Sequence, residues 1–272
     1  MNTPPRAFGR GRRGRATALP SAGQQVATKY VPLKPSESQV VDSYKGVKEA
    51  IETTLRNVSD DNLKRCLREA EKYATDDENM EKVVAELFKK SLEDKNMAYN
   101  CGLVAAAMFS LESNGNNFRG KFFKKIQDTY KSREAMKKKA FDKYIAYTCL
   151  MTSIFKYVKI KHEPIKILVK PMYTMLCELV ESKTENELER EQEVFAFRDN
   201  LLHVAMLLQS SDREEMDALF KTVRCSIISE TVPKISCVLL EMFELYCCGD
   251  WTANMEMNEF YNHLMKDINV KS

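Results

Sequence analysis

Hydrolysis or group transfer needs a base beside a nucleophile, a set of metal ligands, or a loop that cradles phosphate. The three histidines, His162, His203 and His263, are scattered along the chain, and none stands in an HExxH spacing. His203 lies within an apolar helical stretch and reads as a satisfied core histidine before it reads as a ligand. No complete GxxxxGK[ST] loop and no CxxC pair occurs. The eight cysteines, at 66, 101, 149, 177, 225, 237, 247 and 248, fall mostly among aliphatic residues, where a free thiol acts as a small hydrophobe. The residues thus predict no catalytic site, no metal and no cofactor, and a non-enzymatic protein.

What remains is charge. Arg6, Arg10, Arg12, Arg13 and Arg15, with Lys29 and Lys34, give residues 1–35 seven positive charges and no acid, so a whole chain of net +3 has a remainder of net −4. This stretch resembles the arginine–glycine segments that hold RNA phosphates, and the plainer alternatives are a nuclear-import or solubilising tail. In the body, Lys121, Lys124, Lys125, Lys131, Lys137, Lys138 and Lys139 form the densest basic run. Lysines without stacking aromatics track phosphate or an acidic partner and read no bases, and the plain alternative is a solvated helix face. The run is expected to be exposed, so glutamates at 137, 138 and 139 should weaken binding without unfolding. Trp251, the only tryptophan, is either a partner anchor or a plug at the end of the fold.

These charges need elements to hold them. With 44% hydrophobic and 30% charged residues, 272 residues can bury a core, and no apolar run approaches the ~20 residues of a membrane span. The arginine-rich start has no apolar segment after it, so no secretory signal is expected, nor a disulfide framework. Two domains follow: a disordered Arg/Gly-rich tail over 1–37 and one helical body over 38–272. Localisation is expected to be cytoplasmic, with a nuclear pool if the tail acts as an import signal.

Within the body, apolar residues recur at three- and four-residue steps. The pattern is strongest over 140–158 and 164–180, with Phe141, Tyr144, Ile145, Thr148, Met151 and Phe155 in the first and Ile165, Leu168, Met172, Leu176 and Leu179 in the second. These two stretches are read as the hairpin on which the rest stacks, joined by a turn carrying Lys156, Lys159, Lys161 and His162. Pro164 is placed at the first helical position, and Pro171, about two turns further, should kink or restart the helix near Lys170. Residues 39–58 read as a lone leading helix, and 182–193 as an acidic, polar stretch before an apolar helix over 194–208. Asp60 or Ser59, Asp76 or Asp77, Asp94, and Ser211-Asp212 stand where caps are needed, Thr231 or Ser229 should cap the next helix, and Gly249 should end it. Antiparallel pairs counted from these caps begin near 60, 95, 134, 187 and 231, a spacing of roughly 35–53 residues that brackets helical solenoid repeats. The fold class is all-α, a HEAT-like α-solenoid of about five helical hairpins.

The run Glu163-Pro164-Ile165-Lys166-Ile167-Leu168-Val169-Lys170-Pro171-Met172-Tyr173, with Leu176 and Leu179, resembles the middle domain of the translation initiation factor 4G scaffold. Phe118-Arg119 leading to Tyr130 and Arg133-Glu134, the run from Met216 to Phe220, and the run from Leu239 to Leu245 with Trp251 beyond fit that family in order and spacing. The likeness covers roughly residues 60–265 and is nearest to the family's small members, which partner a histone-mRNA stem-loop-binding protein or serve cap-binding-complex-dependent initiation. It departs at Tyr246-Cys247-Cys248, where a more polar run is usual. The resemblance implies an adaptor in translation initiation or mRNA metabolism. Translation initiation factors, the cap-binding complex, an RNA helicase or a stem-loop-binding protein are the implied partners, and homodimerisation is open. Direct, sequence-nonspecific RNA binding through the arginine tail and the lysine run is the alternative. Outside this likeness, residues 27–32 are faintly similar to the end of the peptide motif that docks on poly(A)-binding protein, with Gly23 where such motifs carry leucine.

Overall fold

The computed structural model describes residues 37–271, except 110, 114–115, 250 and 252–254. The arginine tail and the 27–32 peptide lie outside the described residues.

The chain begins with α1 (Glu37–Arg56), α2 (Asp60–Tyr73), α3 (Asp77–Ser91) and α4 (Lys95–Met108). Short polar side chains start three of these. Ser59 accepts from the Asn62 amide at 3.2 Å, Asp76 from Asn79 at 2.8 Å and Asp94 from Asn96 at 2.8 Å. Each such bond satisfies a first-turn amide that has no partner within its helix, worth about 1 kcal/mol. There follow α5 (Phe118–Lys131), the short α6 (Arg133–Lys139) and α7 (Phe141–Tyr157). A two-stranded hairpin, β1 (Lys159–Ile160) against β2 (Glu163–Pro164), and a 3-10 turn (Lys166–Leu168) lead into α8 (Val169–Glu181). The body closes with α9 (Glu187–Ser211), α10 (Arg213–Ser229), α11 (Pro233–Cys248) and α12 (Met255–Lys271).

Helices pair as α1/α2, α3/α4, α5–α6/α7, α8/α9 and α10/α11, and α4, α7, α9 and α11 then pack neighbour on neighbour in one continuous row. This is a five-hairpin stack of the HEAT type. The phase of the pairing differs from the sequence expectation, because α1 is no lone helix: it buries Val47, Ala50, Ile51 and Leu55 against α2, α3 and α4. Every later pair therefore starts one helix earlier. The expected central hairpin changes accordingly. α7 is central, with eleven of its seventeen residues buried, but it packs chiefly on α4 and α9, while α8 packs on α9 and α10.

The prolines act differently from expectation. Pro164 closes the β hairpin and opens no helix, and α8 starts at Val169 after the 3-10 turn. Pro171 thus sits in the first turn of α8, where an absent amide hydrogen removes no helical bond. The break falls at Leu168–Val169, ahead of Lys170. At the hairpin tip Lys161 and His162 have φ of 52° and 69°. A two-residue hairpin turn requires such angles and favours Asn-Gly, so two side-chain-bearing residues there store about 1 kcal/mol or more each.

The acidic stretch over 182–193 is helical from Glu187 on, where α9 begins with Asn186 as its cap. Glu187 and Glu189 complement the positive helix start. Arg190 is buried and donates to the Leu179 and Val180 carbonyls, both at 2.9 Å, which closes the end of α8. Neither Ser229 nor Thr231 caps α11; Pro233 takes the first position, and Glu230 accepts from the Thr231 and Val232 amides instead. Gly249 ends α11 in the left-handed region, φ 68°, as its position predicts. Among the cysteines, Cys66, Cys101 and Cys149 are buried, and burial pushes their thiols up to about 11, about 12 and about 11; Cys225, Cys247 and Cys248 are exposed.

The row is tightest where Gly102 of α4 meets Ser153 of α7. A Cβ on Gly102 would lie 2.3 Å from Ser153 Oγ and 2.4 Å from its carbonyl oxygen, so only glycine allows this approach. Gly102→Ala is expected to lower unfolding stability by about 3 kcal/mol. Gly46→Ala serves as the contrast: the new Cβ meets only the Glu69 carboxylate, at 3.3 Å. That variant should gain about 0.5 kcal/mol. Denaturant melts of both read the difference, and equal losses would mean that α4 and α7 do not cross as described.

Candidate partner-binding groove

The loops at one edge of the stack border two adjoining hollows. One, of about 760 Å³, lies between α6, the start of α7 and the α8–α9 loop, and Lys138, Lys139, Phe141 and Tyr144 line it. The other, of about 1030 Å³, continues between the α8–α9 and α10–α11 loops past Arg190, Lys221 and Glu230. Glu181, Ser182 and Thr184 line both, so the two form one groove across three successive hairpins.

The wall made by α6 is unusual. This helix buries no residue fully: Met136 rests half-buried on the core, and ion pairs add the rest. Arg133 grips the Glu178 carboxylate through Nε at 3.1 Å and Nη2 at 2.5 Å, with its guanidinium 4.2 Å from the Tyr130 ring centre. Lys137 Nζ stands 2.5 Å from Oε1 of Glu193, which is wholly buried, and donates to Ser182 Oγ at 3.1 Å. The Lys137–Glu193 contact is an ion pair without directed hydrogen-bond geometry: both Glu193 oxygens and the buried Tyr144 hydroxyl lack a well-formed hydrogen bond. Burial, and then the Glu178 and Glu193 carboxylates, push the Tyr144 phenol above its usual range.

The seven lysines of the basic run do not share one surface. Lys121 is drawn to Asp77 at 2.6 Å, Lys125 lies 5.9 Å from the Phe88 ring centre and Lys131 is 3.9 Å from Asp128, while Lys124 is exposed on the same helix, α5. Lys138 and Lys139 are exposed at the groove rim. Lys137 departs most from expectation, since it points inward to a buried carboxylate and cannot be replaced by glutamate without consequence for the fold. Arg6, Arg10, Arg12, Arg13 and Arg15 lie outside the described residues. Trp251 is committed to its own chain: Nε1 donates to Gln209 at 2.6 Å, and the ring lies 5.8 Å from Phe220, itself stacked on Tyr246 at 4.0 Å. The indole is half-buried, packed against α9 and α10.

His203 is no core histidine either. It is exposed on α9, edge-on to Tyr99 at 4.6 Å and with Nδ1 3.4 Å from Lys156 Nζ. Partial burial and then the Lys156 charge hold its imidazole below the ordinary range. Residues 115–121 have a GxxxxGK spacing, but buried Phe122 stands where a phosphate loop needs a hydroxyl, and Lys121 is spent on Asp77. A GxGxxG spacing at Gly9, Gly11 and Gly14 falls outside the described residues. Among the described residues no three His, Cys, Asp or Glu side chains are grouped to hold a metal ion, and no helix is long and apolar enough to cross a membrane.

Arg190 and Ser182, which line the groove, and Glu193, buried behind its Lys137 wall, are residues that sequence reading passes over. A signal existed: positions 190, 193, 194, 197, 200, 201 and 204 form one buried helical stripe in which three members are polar.

The fold and groove define a class, the all-helical HEAT-type stack whose loop edge offers a long open trough. No protein-family model matches the chain. Among curated proteins it is similar to MIF4G domain-containing protein A of Xenopus laevis, 26% identical over 157 residues that make up 57% of this chain and 69% of that protein. The Xenopus tropicalis MIF4G domain-containing protein is 27% identical over 146 residues, 53% of this chain and 64% of that one. The human protein of that name is 25% identical over 160 residues, 58% and 70% of the two chains. The matched region thus spans about two thirds of the length of these relatives. Over rather more than half its length the chain is thus similar to MIF4G domain-containing proteins, in keeping with its helical stack.

Lys137→Ala removes the counter-charge of a buried carboxylate and should destabilise the fold by about 3 kcal/mol. Replacing both partners, as Lys137→Met with Glu193→Leu, should recover most of that loss, and Lys138→Glu with Lys139→Glu should stay within about 0.5 kcal/mol of the parent. Thermal or urea melts check the ranking; a harmless Lys137→Ala would remove the ion pair from the account of the groove.

Proposed function

We propose that the protein is a non-enzymatic adaptor in translation initiation or mRNA metabolism, and that the groove across α6, the α8–α9 loop and the α10–α11 loop receives a segment of a protein partner. The observation that carries this reading is the continuity of the groove over three hairpins in a domain related to MIF4G proteins. Solenoids present long concave or grooved surfaces of this kind to extended peptides, and polar walls with apolar patches at Phe141 and Val232 suit main-chain hydrogen bonds flanked by side-chain pockets. Translation initiation factors, a cap-binding subunit, an RNA helicase and an mRNA-bound protein such as a stem-loop-binding protein are the partners the resemblance suggests. Lys138 and Lys139, free to move at the rim, would steer an acidic partner and set the salt dependence of its approach.

The full chain used as bait in cytosol, with and without nuclease, tests this. Nuclease-resistant capture of such a factor, reduced several-fold by Lys138→Glu with Lys139→Glu, is the expected result. Capture that vanishes with nuclease would move the function to direct RNA binding through the arginine tail and the exposed lysines, with a steep salt dependence that falls when residues 1–35 are deleted.

A further inference from the structure

A second surface stands at the far end of the helices that border the groove. α7 begins beside Lys138 and Lys139 and ends at Tyr157; α8 begins at Val169 and ends at Glu181. The β hairpin and 3-10 turn between them therefore lie one helix length from the groove, about 25 Å for a helix of this size.

This tip concentrates charge. Residues 156–170 hold Lys156, Lys159, Lys161, Lys166 and Lys170 against one acid, Glu163, which sits 3.2 Å from Lys166. It also presents aliphatic side chains to water: Ile160 is 46% exposed and Ile167 81%. Isolated exposed apolar residues are ordinary, but these two lie within one hairpin-and-turn unit whose base is fixed. Val158, Ile165 and Leu168 are buried beneath it, so the alternate positions must face outward. The turn at the tip is tight, with Lys161 and His162 both in the left-handed region. Alongside, a hollow of about 650 Å³ reaches Leu207 at the end of α9, with Pro164, Val169, Lys166 and Lys170 on the tip's side and Glu215 on the other.

We propose that this tip is a docking knob for an acidic protein segment, whose carboxylates meet the lysines while an apolar side chain covers Ile160 and Ile167. A nucleic acid fits less well. Two isoleucines give bases nothing to stack on, and the rings at hand are a single exposed imidazole, His162, and Tyr157, which has Lys156 5.3 Å from its centre. The inference rests on the adaptor reading and deepens it, since an adaptor needs two separated surfaces and the groove supplies only one.

The test uses the purified full chain and four probes: a fluorescent glutamate–leucine peptide, a polyglutamate peptide of equal length, an oligouridine, and phosphatidylcholine vesicles containing phosphatidylserine. The glutamate–leucine peptide should bind, and polyglutamate about tenfold more weakly. Ile160→Ser with Ile167→Ser should weaken the first about tenfold and leave the second unchanged, and Lys161→Glu with Lys166→Glu should weaken both. All four substituted residues are exposed, and an unchanged thermal melt confirms an intact fold. Equal binding of the two peptides, or indifference to the isoleucine variant, would overturn the proposal. So would oligouridine or vesicle binding that is lost in the same variants while the peptide stays weak. Because the assay contains no cellular factor, a failed capture from cytosol leaves it standing, and its own failure leaves the groove reading standing.

Discussion

The close crossing of α4 and α7 at Gly102 and Ser153 is the constraint on which the rest of the stack depends. Ser153 Oγ accepts the Gly102 amide at 2.9 Å and donates to the Tyr99 carbonyl, so one hydroxyl bridges the two backbones. From there a buried polar chain continues. The Tyr99 hydroxyl donates to Asn200 Oδ1 at 2.8 Å, and Asn200 Nδ2 donates to Thr148 Oγ1 at 3.0 Å. Three helices of the row, α4, α7 and α9, are thereby fixed in register by directional bonds, where apolar packing alone would tolerate sliding. Two of these bonds, at Gly102 and at Thr148, are buried, so a shift of α7 by even one residue would leave buried polar groups without partners, at about 1–3 kcal/mol each.

Charge works differently at the loop edge. Arg190 satisfies the last carbonyls of α8, and Glu230 lies 3.4 Å from its Nε, so the start of α9 is tied to both neighbouring loops. Lys234 to Glu191 at 2.6 Å and Arg198 to Glu241 at 3.0 Å repeat the tie between α9 and α11. Burial raises the Glu241 carboxyl above its ordinary range despite Arg198. Isolated ion pairs at a surface contribute little, but those with a buried member are expensive to break, so they set which loop lies against which. α6 is the extreme case: its one apolar contact is the half-buried Met136, and Arg133 and Lys137 supply its ion pairs to Glu178 and Glu193.

How much of this a sequence reveals follows from which forces are local. Helix stripes, the caps and the Gly249 stop depend on neighbours within a turn and were legible to within a residue: the structure picks Ser59 over Asp60, Asp76 over Asp77 and Asp212 over Ser211, and keeps Asp94. The pairing phase was not, because α1 carries Gly46 and a weak stripe, and its role as first partner appears only once α2 to α4 surround it. Pro171 misled because a proline breaks a helix only if the helix has already begun, and the start at Val169 was hidden behind an apolar run that continues through the 3-10 turn. Lys137 and Glu193 were misread for one shared reason. Each looks solvated in its own helix, and their pairing requires α6 to lie over α9, a contact between residues 56 positions apart. The MIF4G-type likeness was legible from core-forming residues, which identify a fold and leave the partner surface unassigned.

The rigid middle of the molecule also decides what kind of adaptor it can be. The groove and the hairpin tip sit at opposite ends of α7 and α8, and coupling between them would require an element with two alternative arrangements. α7 is a poor candidate. Its neighbours α4 and α9 hold it through the Gly102–Ser153 contact and the Asn200–Thr148 bond, and a contact already at backbone distance has no closer state to adopt. α6 is the better candidate for movement, being held by two ion pairs over an open groove, but its displacement would change the groove wall and leave the tip untouched. Occupancy of one surface should therefore leave affinity at the other nearly unchanged. On the proposed adaptor reading the body would act as a spacer that fixes the distance and orientation of two partners, and any cooperativity between them would come from their contact with each other.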